Sequence, residues 1–70
     1  MKFLECDKNE NAMIDLMQED DGSFTIEFNA LNHGKIENGF VEYFFDESEA
    51  YERYNDLCEE YYIFEPRYEH

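Results

Sequence analysis

The chain has 70 residues, nineteen of them Asp or Glu and five Lys or Arg, for a formal charge of -14 at pH 7. Like-charge repulsion argues against nucleic acid and anionic membrane as direct partners and favours basic surfaces, the commonest of which bind nucleic acid. Seven Phe and six Tyr separate the chain from acidic disordered tails, which are poor in aromatics, so residues 1–70 are expected to fold as one compact acidic domain.

Residues 2–6 read as a short first strand and Asp7-Lys8-Asn9-Glu10-Asn11 as a polar turn. Ala12, Ile14 and Leu16 then alternate with Met13, Asp15 and Met17; Phe24, Ile26 and Phe28 alternate with Thr25, Glu27 and Asn29. Period two with one apolar face predicts a hairpin over residues 12–30, and Asp21-Gly22 between the runs suits the positive φ of a tight turn. Residues 29–39 are turn-rich, with Gly34 and Gly39 expected to mark two reversals. Residues 40–45 are strongly strand-like and apolar on both alternating sets, the pattern of a central strand.

At Asp46 the period changes. Asp46 fits a helix N-cap and Glu49 the returning acid of a capping box, while Ala50, Tyr54, Leu57, Cys58 and Tyr61 recur at helical spacing. The helix is expected over residues 47–61. Ile63 and Phe64 could add a short edge strand before Pro66. The fold class is therefore α+β, a small antiparallel sheet of three or four strands with one helix packed on one face.

Two concentrations of acid are candidate partner-binding surfaces. Glu49, Glu52, Asp56, Glu59 and Glu60 form a rail on the outer face of the helix, relieved only by Arg53. Neighbours such as Glu52–Asp56 and Asp56–Glu60 each cost on the order of 0.2–0.5 kcal/mol. A merely solvated helix would intersperse cations there. The second concentration is the hairpin tip, Glu19, Asp20 and Asp21, with Asp15 and Glu27 behind it. Among the aromatics, the core is expected to take Phe24, Phe28, Tyr43, Phe45, Tyr54 and Tyr61. Tyr62 and Tyr68, flanked by acids, are candidate exposed contacts.

Catalytic and cofactor signals are weak. His33 and His70 stand apart, no Cys-x-x-Cys pair occurs, and Cys58 falls on the apolar stripe of the helix as a small core residue. The acidic turn lacks the spacing of an EF-hand, with Glu19 and Met17 where Asp or Asn is needed. No glycine loop cradles a phosphate. No enzyme activity, metal or cofactor is expected. Met1-Lys2-Phe3-Leu4-Glu5 meets charge before any apolar run develops, and no stretch has the length of a membrane span, so a cytoplasmic protein with Cys6 and Cys58 reduced is expected.

In size, acidity and sheet-plus-helix build, with the rail from Glu49 to Glu60 and the acidic tip, the chain resembles the small DNA-mimic inhibitors encoded by bacteriophages, anti-CRISPR proteins above all. The resemblance is one of class and rests on no diagnostic motif. It implies a stoichiometric, non-catalytic inhibitor acting in the host bacterial cytoplasm on the basic channel or PAM-reading site of a CRISPR-Cas effector or similar DNA-binding defence protein. The alternatives are an antitoxin or immunity-type protein plugging a basic nuclease active site, and an acidic interaction domain without mimicry. A mimic should spread acid over a flat surface; a plug should cluster acid around one or two aromatics.

Overall fold

The computed structural model of the protein describes residues 1–61 and 63. Strands β1 (Lys2–Lys8), β2 (Ala12–Gln18), β3 (Phe24–Asn32) and β4 (Lys35–Phe44) precede one helix, α1 (Glu47–Glu60). The strands pair antiparallel in chain order, β1-β2-β3-β4, and α1 lies across one face against β2, β3 and β4. This is the α+β sheet-and-helix architecture that the two periodicities dictate.

Register decides which side chains meet the helix. Ile14 pairs with Phe28 and Leu16 with Ile26, so these residues, with Ala12 and Phe24, form the sheet side of the core. Ala50, Tyr54, Leu57 and Cys58 close it from the helix side. Asp46 caps the helix as its spacing predicts: its Oδ2 accepts from the Glu49 backbone N–H at 3.0 Å and from the Ser48 hydroxyl at 2.6 Å. At the other end, the Ile63 N–H donates to the Cys58 carbonyl at 2.7 Å and Ile63 is buried in the core. The edge strand expected at 63–64 therefore does not form at Ile63, whose backbone turns back on the helix; Phe64 lies outside the described residues.

The largest departure from expectation is β4. It is an edge strand, not a central one, and it starts at Lys35, inside the segment expected to be turns. Only one reversal occurs there, at His33 (φ 54°) and Gly34 (φ 81°), a two-residue connection between the paired Asn32 and Lys35. Gly39 sits within the strand, where a Cβ would come within 2.7 Å of the Phe28 carbonyl oxygen and of Asn29 Oδ1.

The pairings Phe28↔Phe40 and Phe24↔Phe44 turn Phe40 and Phe44 toward the helix, and the rings of Phe28 and Phe40 stack at 4.8 Å. Val41 and Tyr43 consequently face away from it, opposite Glu27 and Thr25. Tyr43 and Phe45, both expected in the core, are 71% and 89% exposed. The physical reason is that the run 40–45 is largely apolar on both alternating sets, so alternation could not choose between them. The inward set also carries Glu42, and the fold neutralises it: Arg53 of α1 donates from Nε to Glu42 Oε1 at 2.7 Å.

Candidate functional site

The acidic rail is present as a surface. Glu49, Glu52, Asp56, Glu59 and Glu60 are all exposed, because the buried stripe of α1 occupies the opposite side of the helix. Glu52, Asp56 and Glu59 lie farthest from the core at a 3.6-residue period; Glu49 and Glu60 flank them on the side of Arg53. Arg53 is the sole cation of α1, and its two bonds to Glu42 draw it toward the sheet. Glu42, with Glu60 and Asp56 nearby, holds the guanidinium above its ordinary pKa. Among the described residues, Glu52, Asp56 and Glu59 take part in no salt bridge.

The hairpin tip is built differently. Its turn is closed by the Glu19 N–H donating to Ser23 O and the Gly22 N–H to Glu19 O, with Gly22 at φ 89°. Each of its carboxylates has a local partner. Glu19 accepts from the Thr25 hydroxyl at 2.9 Å, Asp20 from the Met1 ammonium at 2.6 Å, and Asp21 from the Ser23 hydroxyl and N–H. The Ser23 bonds hold the Asp21 carboxyl below its ordinary pKa, and Asp20 raises that of the terminal ammonium. Asp20 and Asp21 remain exposed.

The structure does not merge rail and tip into one surface. The rail faces outward from the helix layer, whereas Glu19 bonds to Thr25, which pairs with Tyr43 on the helix-free side of the sheet. Tyr62 and Tyr68, the two expected aromatic contacts, lie outside the described residues.

What the residue pattern alone missed is the company of the tip. Tyr43 and Phe45 stand beside Glu19, Asp20 and Asp21 and with Ser23 and Thr25 line a shallow cleft. The available signal was the doubly apolar run of residues 40–45, of which an edge strand can bury only one set. The helix-free face is less polar than one side of an open antiparallel sheet usually is. Phe3 is 60% exposed on it, and Asp15, Met17 and Thr25 form its nearly buried floor.

Two further polar contacts were not foreseen. Asp7, expected in a turn, is the last-but-one residue of β1, buried, and accepts a hydrogen bond from the Tyr54 hydroxyl. Cys6, exposed on the helix-free side, donates to Asp15, and that bond together with desolvation pushes its thiol up to about 11. Both cysteines are free. Among the described residues, no group of three or more His, Cys, Asp or Glu side chains is placed to hold a metal ion, and no helix is long and apolar enough to cross a membrane.

No family model, curated protein or solved structure matches the chain. The functional reading therefore rests on the surfaces themselves.

Proposed function

We propose that this protein is a non-catalytic acidic inhibitor that imitates nucleic acid and occupies the basic DNA-binding surface of a host-defence protein, a CRISPR-Cas effector in particular. The observation that carries the reading is the rail: five exposed carboxylates along one helix whose single cation is engaged with the sheet. At a rise of about 1.5 Å per residue, the stretch from Glu49 to Glu60 presents about one carboxylate per 4 Å, close to the one phosphate per ~3.4 Å of a DNA strand. Lys and Arg side chains spaced to track phosphates thus find acceptors at a similar interval. The like-charge crowding that this spacing imposes on α1 is met by no salt bridge to Glu52, Asp56 or Glu59 among the described residues, which supports a surface kept for a partner.

The test is competition for a purified CRISPR-Cas effector loaded with its guide. Wild-type protein should displace target DNA, and the variant Glu52→Gln, Asp56→Asn, Glu59→Gln should do so more weakly, with the deficit larger at low salt than at high salt. Simultaneous binding of DNA and protein, or equal inhibition by the neutralised variant, overturns mimicry.

A second reading is favoured by a separate observation. The grouping of Tyr43 and Phe45 with Glu19, Asp20 and Asp21 has the form expected of a plug, acid gathered around aromatic anchors. An immunity-type protein seated in the basic active site of a nuclease would use that end of the molecule, and inhibition of a basic nuclease in the absence of any CRISPR-Cas effector, lost on Tyr43→Ser with Phe45→Ser, separates the two.

A further inference from the structure

We propose that the tip end of the helix-free sheet face, centred on Tyr43 and Phe45, is an anchoring surface for an arginine-bearing segment of the basic partner. The inference rests on the reading that the partner is basic, but not on mimicry of DNA, and it assigns the anchoring contact to the face opposite the rail.

Tyr43 and Phe45 are 71% and 89% exposed, and Phe3, on the same face, is 60% exposed. Large aromatic surface left in water on a chain this small has a cost that burial against a partner would remove. The register of β4 places it there: with Phe44 packed against the core and Phe40 stacked on Phe28, the strand has no further layer for its outward set. Tyr43 stands beside its cross-strand partner Thr25, which is nearly buried and held by Glu19, so its backbone belongs to a paired strand and not to a loop.

Charge complementarity selects the occupant. Asp20 and Asp21 rim the aromatic pair, and Glu27, exposed, neighbours it on β3. A second copy of the chain would bring these carboxylates face to face under a charge of -14 on each molecule. An arginine answers both features at once: its planar guanidinium stacks on an aromatic face and forms paired hydrogen bonds with a carboxylate. Lysine offers a point charge without the stacking plane, so arginine is preferred. The broad face of the molecule, within extents of 36 × 32 Å, accommodates the ~800 Å² per partner of a standard interface. Its thickness of 17 Å lets a cleft-shaped partner touch this face on one wall and the rail on the other.

The test uses the full chain, isotope-labelled, titrated with an arginine-rich peptide and with its lysine counterpart while amide and aromatic resonances are followed. The arginine peptide should shift Thr25, Tyr43 and Phe45 and bind more tightly than the lysine peptide. Tyr43→Ser with Phe45→Ser should weaken the arginine peptide about tenfold. Both side chains are exposed, so the double variant should keep its fold, and Asp20→Asn with Asp21→Asn is the independent pair that leaves the aromatics in place. It should also weaken binding. Shifts confined to the rail, wild-type affinity for the arginine peptide in either paired variant, or self-association through Tyr43 and Phe45 on sedimentation would each overturn the proposal. In the effector assay, full inhibition by the Tyr43→Ser, Phe45→Ser variant overturns this anchoring while leaving mimicry intact; patch binding to the arginine peptide without effector inhibition overturns mimicry alone.

Discussion

At the residue scale, two buried or half-sheltered polar contacts have measurable consequences. Tyr54 is fully buried, and its hydroxyl donates to Asp7, itself 3% exposed. Tyr54→Phe leaves the ring packing but removes a donor from a buried carboxylate, and should cost about 1–3 kcal/mol in denaturant unfolding. Burial first, and the Asp7 bond second, raise the Tyr54 phenol above its ordinary pKa. An unfolded tyrosine releases its proton near pH 10, where folded Tyr54 still holds it. The unfolded chain then binds fewer protons, so this contribution is complete below about pH 10 and is lost as pH rises from there through the higher folded value. Tyr54→Phe should flatten that alkaline slope; an unchanged slope would place its origin elsewhere. Cys6 makes the second case. With its thiol pushed up to about 11, its thiolate fraction at pH 8 is roughly a hundredfold below that of an ordinary cysteine, so an exposed thiol should alkylate slowly. Asp15→Asn should speed the reaction, as read by the rate of iodoacetamide labelling.

At the scale of elements, the start of α1 is held by a charged cap. The Ser48 hydroxyl, and then the Glu49 N–H, keep the Asp46 carboxyl below its ordinary pKa. A depressed carboxyl contributes stability that is present above the unfolded value, near 4, and disappears as pH falls through the folded one. Asp46→Ala should lower the melting temperature near neutral pH and remove this acid-side loss, whereas Asp46→Asn, which keeps an acceptor for Glu49, should fall between the two. A melting temperature unchanged in Asp46→Ala would show that tertiary packing alone holds the first turn. The strand elements divide in a comparable way. β3 has one apolar set and one predominantly polar set, and in β2 the set Ala12, Ile14 and Leu16 is wholly apolar while the other carries Asp15 between Met13 and Met17, so their inward faces followed from pattern. At the end of β4, residues 40–45 are largely apolar on both sets, and the pairing with β3 puts Phe40, Glu42 and Phe44 on the helix side, where Arg53 meets Glu42.

For the whole molecule, the charge of -14 opposes compaction. Raising ionic strength from about 0.01 M to about 1 M shortens the screening length from ~30 Å to ~3 Å. Thermal stability should therefore increase with salt, and most of that increase should vanish in the Glu52→Gln, Asp56→Asn, Glu59→Gln variant if the rail is the crowded array. A melting temperature indifferent to salt in the wild type would mean that the carboxylates are spaced widely enough to ignore one another. The same screening should weaken association with a basic partner, so salt is expected to move folding and binding in opposite directions.

Residue order alone was enough for whatever depends on near neighbours along the chain. The helix start at Asp46, the buried stripe Ala50–Tyr54–Leu57–Cys58, the β2–β3 hairpin with its Gly22 turn, and the exposure of Glu49, Glu52, Asp56, Glu59 and Glu60 all follow from period, cap chemistry and turn geometry. Tertiary structure decided what depends on distant partners. Asp7 is buried where it accepts a hydrogen bond from Tyr54, forty-seven positions away, a pairing no local pattern encodes. Tyr43 and Phe45 became surface only because Phe40 and Phe44 filled the space beside Phe28 and Phe24. Local pattern states which side chains want burial. A sheet with a helix on one face cannot bury both sets of its edge strand, and long-range register determines which set stays in water beside the acidic tip.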